Sequence, residues 1–319
     1  MADSEIMPGG LGRGRRSLRR EPRVRGSGSV SHERGGIVPA VQAGSTIPEA
    51  GPVTHSLMPY LLDVRHLTAA ARLCMRRSGS PGADGLTWAG YRHGMRERLA
   101  ELAARLRAGT WTPEAVRFVD ITSYTGKVFP AVIPTVQDRI VHRAMRRALD
   151  PILDHLVLHD WVSAYRPNRN RITALRQAEQ HLRAGRRWVA DVDVAGASTG
   201  GTVEQCVDWL AEYVTDGSFL SVFRRALDGL PSPLVPGTGL WPVLFHLRMS
   251  RVDAVLQERP VVRFADNYLI FTATQADAVE AFGAVTAALA PLGLHPHPGK
   301  SRIRAPHQAN AEDLFLIDG

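Results

Sequence analysis

Residues 261–273 read VVRFADNYLIFTA, two apolar arms that meet at Asp266-Asn267. The arms are rich in Val, Phe, Tyr and Ile, residues that suit a pleated, half-buried backbone. Asp and Asn tolerate tight-turn geometry, so the pair predicts the tip of a β-hairpin. A carboxylate at such a tip projects from a rigid support, which suits a metal ligand; the plain alternative is an ordinary turn. A second acidic segment, RRWVADVDV at 186–194, sharpens the choice. Side chains alternate faces along a strand, so Asp191 and Asp193 share one. Two carboxylates on one face repel unless a cation or solvent lies between them. If this strand lies beside the hairpin, Asp193 and Asp266 come within reach of shared metal ions that could clamp a phosphoryl transfer. The plain alternative here is a strand end with solvated acids.

The elements between these segments have a definite order. A helix is predicted at 202–215, opened by a Thr202/Gln205 capping box and carrying Val203, Cys206, Val207, Leu210 and Val214 at helical spacing. Ser218–Leu230 reads as helical, and Pro242 opens a helix running to Leu256. After the hairpin comes a helix at 276–290 with Val279, Phe282, Val285 and Leu289 on one face, ended by Pro291-Leu292-Gly293. Strand, helices, two strands, helix, strand is the split βαβ, ferredoxin-like order, an α+β fold class.

Upstream, folded structure is predicted from about Leu57, with helices over 57–77 and 88–108. The second presents Tyr91, Met95, Leu99, Leu102 and Leu106 as a core face. A further helix, capped by Thr135 with Asp138, carries Arg139, Arg143, Arg146 and Arg147, and a loop carries Arg166, Arg169 and Arg171. With a net charge of +8 and a pI near 10.1, these arginines suit a polyanionic partner. A solvated basic face is the alternative. Residues 1–50, rich in Gly, Ser, Pro and Arg, are predicted to be disordered. Cys74 and Cys206 read as isolated buried thiols, with no disulfide framework and no zinc spacing, which points to the cytoplasm. The prolines around His297 make His295 and His297 a loop rather than a metal-ligand pair. No apolar run has transmembrane length and no signal-peptide core is present, so no membrane partner is expected.

Seven segments, in order from Gly82 to Ile303, resemble reverse transcriptases of the bacterial group II intron type. GADGLTWAGY (82–91) is similar to that family's entry segment. GTWTP (109–113), GKVFPAVIPTVQDRIVHRAM (126–145) and AYRPNRNRITAL (164–175) resemble its fingers. VADVDV (189–194) resembles the first catalytic strand, FADN (264–267) stands where the family has Tyr-X-Asp-Asp, and GLHPHPGKSRI (293–303) resembles the lysine-bearing motif. The resemblance implies a fingers–palm polymerase with a ferredoxin-like palm: a basic tail at 1–56, helical fingers at 57–185, a palm at 186–319, and no thumb. It implies an RNA-directed DNA polymerase whose partners are RNA template, primer and nucleoside triphosphates, with a second chain as a possible source of a thumb. Asp193 and Asp266 would bind Mg²⁺ or Mn²⁺, Asn267 would assist, and Lys300 would act as general acid toward the leaving pyrophosphate. Lys127, Ser198, Gly237, Arg139, Arg143, Arg166 and Arg169 fall at implied substrate-binding positions. Asp191 is implied to be a neighbour rather than a ligand.

The departures bear on activity. Asn267 replaces the second acid of the family motif. Ser198 stands where the family keeps a bulky gate against the ribose 2′-hydroxyl. The Pro-Gln-Gly loop is reduced to Val235-Pro236-Gly237, and Phe129 stands in place of an expected arginine. Together they imply reduced polymerase activity. They leave open a catalytically silent, maturase-like RNA-binding protein and a template-independent nucleotidyltransferase such as occurs in defence systems. Lysine usage favours retained chemistry. Only two of the 39 basic residues are lysines, Lys127 and Lys300, and both fall on family motif positions. A chain that otherwise uses arginine for positive charge keeps lysine where a proton must leave, which arginine resists because its pKa lies above ~12.

Overall fold

The computed structural model describes residues 56–76, 79–122, 126 and 128–309. The tail predicted to be disordered and Lys127 lie outside the described residues. The first predicted helix is two: α1, Met58–Leu62, and α2, Val64–Met75. Asp63 separates them, its backbone extended and its carboxylate accepting from the Arg65 amide at 2.8 Å as an N-cap. The next is also two, α3, Trp88–Arg92, and α4, Met95–Arg107, because Gly94 between them takes φ 68°, a conformation no helix continues through. A hairpin follows, β1, Arg117–Thr122, antiparallel to β2, Val128–Ile133. Then come α5, Val136–Leu156, capped by Thr135 as predicted, and α6, Arg171–Arg183, capped by Asn170.

The second half is built on a sheet. Its elements are β3, Trp188–Ala195; α7, Val203–Ala211, with the Thr202/Gln205 capping box; α8, Gly217–Asp228; and α9, Trp241–Asp253. They continue with β4, Val261–Phe264; β5, Asn267–Thr272; α10, Gln275–Leu289; β6, His295–Pro296; and β7, Arg302–Arg304. The strand order is β4-β5-β3-β6, with β7 also on β3, and these pairings are antiparallel. That is the order a split βαβ unit makes, and the chain is α+β. The last strand comes in two pieces because residues 297–301 loop out between them. His295-Pro296, expected in a loop, instead pairs with Val194 and Ala195.

One face of the sheet, with Val192, Val194, Tyr268 and Ile270, packs on α9 and α10; the other, with Val189, Leu269 and Phe271, packs on α6. The buried face of α10 is Ala278, Ala281, Val285 and Leu289; Val279, assigned to it from spacing, is exposed, because small alanines let the helix approach the sheet one residue round. The larger helical core joins α1, α2, α4 and α5 to α7, α8 and α9. Cys74 and Cys206 are both buried in it, as expected.

Candidate active site

The hairpin differs from its sequence reading in one useful way. Phe264 pairs with Asn267, so the two-residue turn is Ala265-Asp266 and Asn267 is already the first residue of β5. Ala265 takes φ 57°. A positive φ at the first turn residue only is the II′ pattern, which glycine usually fills. What holds alanine there is Arg263, whose Nη1 donates to the Ala265 carbonyl at 3.2 Å. Arg263 is fully buried and grips Asp253 of α9 with two bonds, Nε to Oδ1 at 2.9 Å and Nη2 to Oδ2 at 2.6 Å. The Tyr268 hydroxyl donates to Asp253 Oδ1 at 2.6 Å, the oxygen that also accepts from Arg263 Nε. Burial, reinforced by the Asp253 charge, pushes the Tyr268 phenol well above its ordinary pKa, so it stays a donor. The Asp266 turn therefore rests on a dry, fully bonded ionic cluster.

Asp193 is register partner to Asn267 across β3 and β5. Its other edge is fixed by the 297–301 loop: the His297 amide donates to the Asp193 carbonyl at 2.7 Å, and the Ser301 hydroxyl bonds both the carbonyl and the amide of Asp193 at 3.1 Å. The same loop brings Lys300 Nζ to 3.5 Å from Asp193 Oδ2. Asp191, two residues back on the same face, is nearly buried and taken up by Arg304, whose Nε donates at 2.7 Å, and by Asn267 Nδ2 at 3.3 Å. Burial raises its carboxyl pKa against these two partners. Asn267 Oδ1 is buried and has no hydrogen-bond partner.

Asp193, Asp266 and Lys300 line one cleft of about 700 Å³. Its walls include Phe129 and Pro130 of β2, the loop from Ala195 to Gly200, and Val235 to Thr238. Ser198 lies in the first loop, which buried Arg248 of α9 ties down by donating to the Ala197 and Thr199 carbonyls. In the second loop, Gly237 has φ 104°, and a Cβ there would sit 2.1 Å from the Val132 carbonyl oxygen. Only glycine lets this loop close on β2, where the Val132 amide donates to the Pro236 carbonyl at 2.9 Å. Tyr165 and Trp241 form an aromatic wall, in edge contact at 4.9 Å between ring centres.

The family model for reverse transcriptase (RNA-dependent DNA polymerase) matches residues 121–311. The chain belongs to the reverse transcriptase family. It is similar to protein YkfC of Escherichia coli strain K12, 27% identical over 223 residues, which are 64% of this chain and 57% of that protein. It is also similar to the group II intron-encoded protein LtrA of Lactococcus lactis subsp. cremoris, 31% identical over 101 residues, 31% of this chain and 16% of that protein. The chain thus spans little more than half of the first relative and a sixth of the second. Among solved structures, a partial Cas6-RT-Cas1–Cas2 complex aligns over 76% of this chain and 44% of the matched chain, at 16% identity and a TM-score of 0.38.

In this reverse transcriptase family member, the residues singled out from sequence divide into two groups. Asp193, Asp266, Lys300, Ser198 and Gly237 converge on the cleft, with Asn267 beside Asp193. The fingers arginines do not join them. Arg139 is buried and stacks on Trp88 at 4.9 Å, and with Arg143 it lines a neighbouring cavity. Arg166 is committed to Asp154 and the His159 carbonyl, and Arg169 to Asp160. Local carboxylates, not visible as partners in sequence, claim both. Three residues at the site escaped the sequence reading: His297, Ser301 and Tyr165. Ser301 and His297 sit within four residues of Lys300, and Tyr165 lies in the segment AYRPNRNRITAL (164–175), so in each case the place in a family-like segment was the available signal. Among the described residues, no group of three or more His, Cys, Asp and Glu could hold a metal, and no helix is long and apolar enough to cross a membrane.

Proposed function

We propose that the cleft is a nucleotidyl-transfer site and that the chain is an RNA-directed DNA polymerase with a divergent active site. The observation carrying this reading is the convergence of Asp193, Asp266 and Lys300 on one cleft large enough for a nucleotide. Reverse transcriptases work with divalent metal ions, and the residues fit one. Magnesium takes oxygen donors and is commonly held by one or two carboxylates together with substrate phosphates. Asp193 and Asp266 would supply the carboxylates, and Asn267, register partner of Asp193, carries an oxygen, Oδ1, without a hydrogen-bond partner. When bound, the ion would neutralise charge on the phosphates and polarise the reacting phosphoryl group.

The protein's own groups account for the rest. Arg263 and Ser301 hold the backbones that present Asp266 and Asp193, so little reorganisation is required when substrate arrives. Lys300 stands where its ammonium can contact a leaving phosphate and give up a proton to it. Phe129 and Pro130 give an apolar wall where the family has a charged contact, and Ser198 leaves room beside the sugar. Both changes, with one carboxylate replaced by Asn267, support a slow enzyme tolerant of ribonucleotides.

The test is extension of a primed RNA template with either deoxynucleotides or ribonucleotides in Mg²⁺ or Mn²⁺. Templated extension is expected, falling by roughly 10²-fold or more in Asp266→Ala. No incorporation under any of these conditions would refute the reading. The second reading, an RNA-binding protein without catalysis, is favoured by one observation: the Asn267 amide is committed to Asp191 rather than to the cleft.

A further inference from the structure

Away from the cleft, α2 and α5 flank an open concavity of about 450 Å³ lined by Arg65, Thr68, Arg72, Arg76 and Arg147. Arg65, Arg72 and Arg76 follow at i, i+7 and i+11 and share one side of α2; Arg147 faces them from α5. Several of the described arginines are paired with carboxylates, as Arg146 is with Asp150, Arg166 with Asp154 and Arg169 with Asp160. Among the described residues, none of the four guanidinium groups around this cavity has a carboxylate partner. All four are exposed, so solvent screens part of their mutual repulsion, and an anion entering the concavity would relieve the rest.

The cavity also leads somewhere. Arg143, one helical turn before Arg147, lines a second cavity of about 290 Å³, and that cavity shares Gly237 and Thr238 with the catalytic cleft. The line of basic groups therefore reaches the Gly237 loop. A lipid surface fits poorly, since membrane-lying helices present aromatic and leucine side chains beside their basic ones, whereas this lining is concave and contributes only Ala69 and Leu73 as apolar groups.

The geometry points to a phosphate-binding track: the arginine cavity between α2 and α5 holds the phosphodiester backbone of a single-stranded nucleic acid that continues from the cleft. The inference rests on the cleft being a nucleic-acid site. It assigns Arg65, Arg72, Arg76 and Arg147 to phosphate contacts that are sequence-independent and salt-sensitive.

The experiment uses the full chain and an unstructured single-stranded RNA, with affinity measured by anisotropy from about 50 to 300 mM salt. Each phosphate contact on a single strand contributes about 0.7 to the slope of log K against log salt. The variant R65Q/R72Q/R76Q is expected to lose about 2 from that slope and to bind at least roughly tenfold more weakly. Should this variant fail to melt like the parent chain, R147Q alone is expected to lose about 0.7. An unchanged slope overturns the inference, as does a variant that loses binding only to phosphatidylserine vesicles while its RNA slope stays put. Repeating the measurement in the Asp266→Ala background separates the two readings, because phosphate contacts need no chemistry. A slope loss without any extension sinks the polymerase alone, and extension with an unchanged slope sinks the track alone.

Discussion

Asn267 turns its amide nitrogen onto Asp191, 3.3 Å away, at the position where its family carries a second acid. The bond helps keep ionised a carboxylate that burial pushes toward the neutral form. Asn267→Asp would remove the donor and set two acids against each other in a half-buried pocket. The expected loss is about 1–3 kcal/mol near neutral pH. The sign follows from the direction of the shift: a carboxyl whose folded pKa is raised stabilises most when protonated, so the deficit shrinks as pH falls. If the pocket takes a divalent ion, Mg²⁺ should raise the melting temperature of the variant more than that of the parent chain. A variant as stable as the parent at pH 7.5 would contradict the account.

The Arg263–Asp253 pair has both side chains fully buried, so the effects of its partners should be unequal. Asp253→Asn leaves a guanidinium uncompensated in the core and is expected to cost about 3–5 kcal/mol. Tyr268→Phe removes one bond to an oxygen that Arg263 still contacts and should cost about 1–2 kcal/mol. Urea unfolding of both variants decides it. Equal losses would mean the ion pair is not what holds the turn.

These two networks also show where sequence stops being legible. The hairpin, the acid-bearing strand and their order can be read from the alternation of Val, Phe and Ile with Asp, because that alternation is a property of one segment. The turn position cannot. Asp266-Asn267 is the better turn pair by propensity, yet the turn is Ala265-Asp266, since Arg263 reaches across from a buried bond to Asp253 to hold it. The partners of Arg166 and Arg169 were hidden for the same reason: Asp154 and Asp160 lie 12 and 9 residues upstream, and only the fold brings each pair together. Charge is visible in sequence, and its partner is not.

Gly237 should be intolerant even of alanine. Its φ of 104° and the 2.1 Å approach of a Cβ to the Val132 carbonyl cannot be relieved by turning a side chain, because the obstacle is backbone. Gly237→Ala is expected to cost about 2–4 kcal/mol or to detach the loop from β2. Hydrogen exchange at the Val132 amide, which donates to Pro236, reports the detachment directly. Continued protection of that amide would count against it.

Lys300 is the site residue for which charge and proton transfer can be separated. Arginine keeps the charge near Asp193 but holds its proton, with a pKa above ~12. Lys300→Arg should slow single-nucleotide incorporation by roughly 10²-fold or more while leaving RNA affinity unchanged. Equal rates in the two proteins would remove Lys300 as general acid and leave it an electrostatic contact.

His142, on α5, carries a pH dependence that has nothing to do with the cleft. It is buried, both ring nitrogens lack a hydrogen-bond partner, and burial holds its pKa down to about 4. The unfolded chain binds a proton near pH 6.5 that the folded chain excludes until about pH 4. This contribution to stability is therefore complete above pH 6.5 and lost as pH falls toward 4, about 3 kcal/mol in all. Asp138, four residues earlier and raised to about 6 by burial, slopes the other way over much of the same range. The parent chain can thus look flat while two opposed terms run beneath it. His142→Leu removes one of them, so its stability relative to the parent should climb steadily between pH 6.5 and 4. Denaturant unfolding across that range gives the difference, and a constant offset between the two proteins would show that His142 protonates freely in the fold.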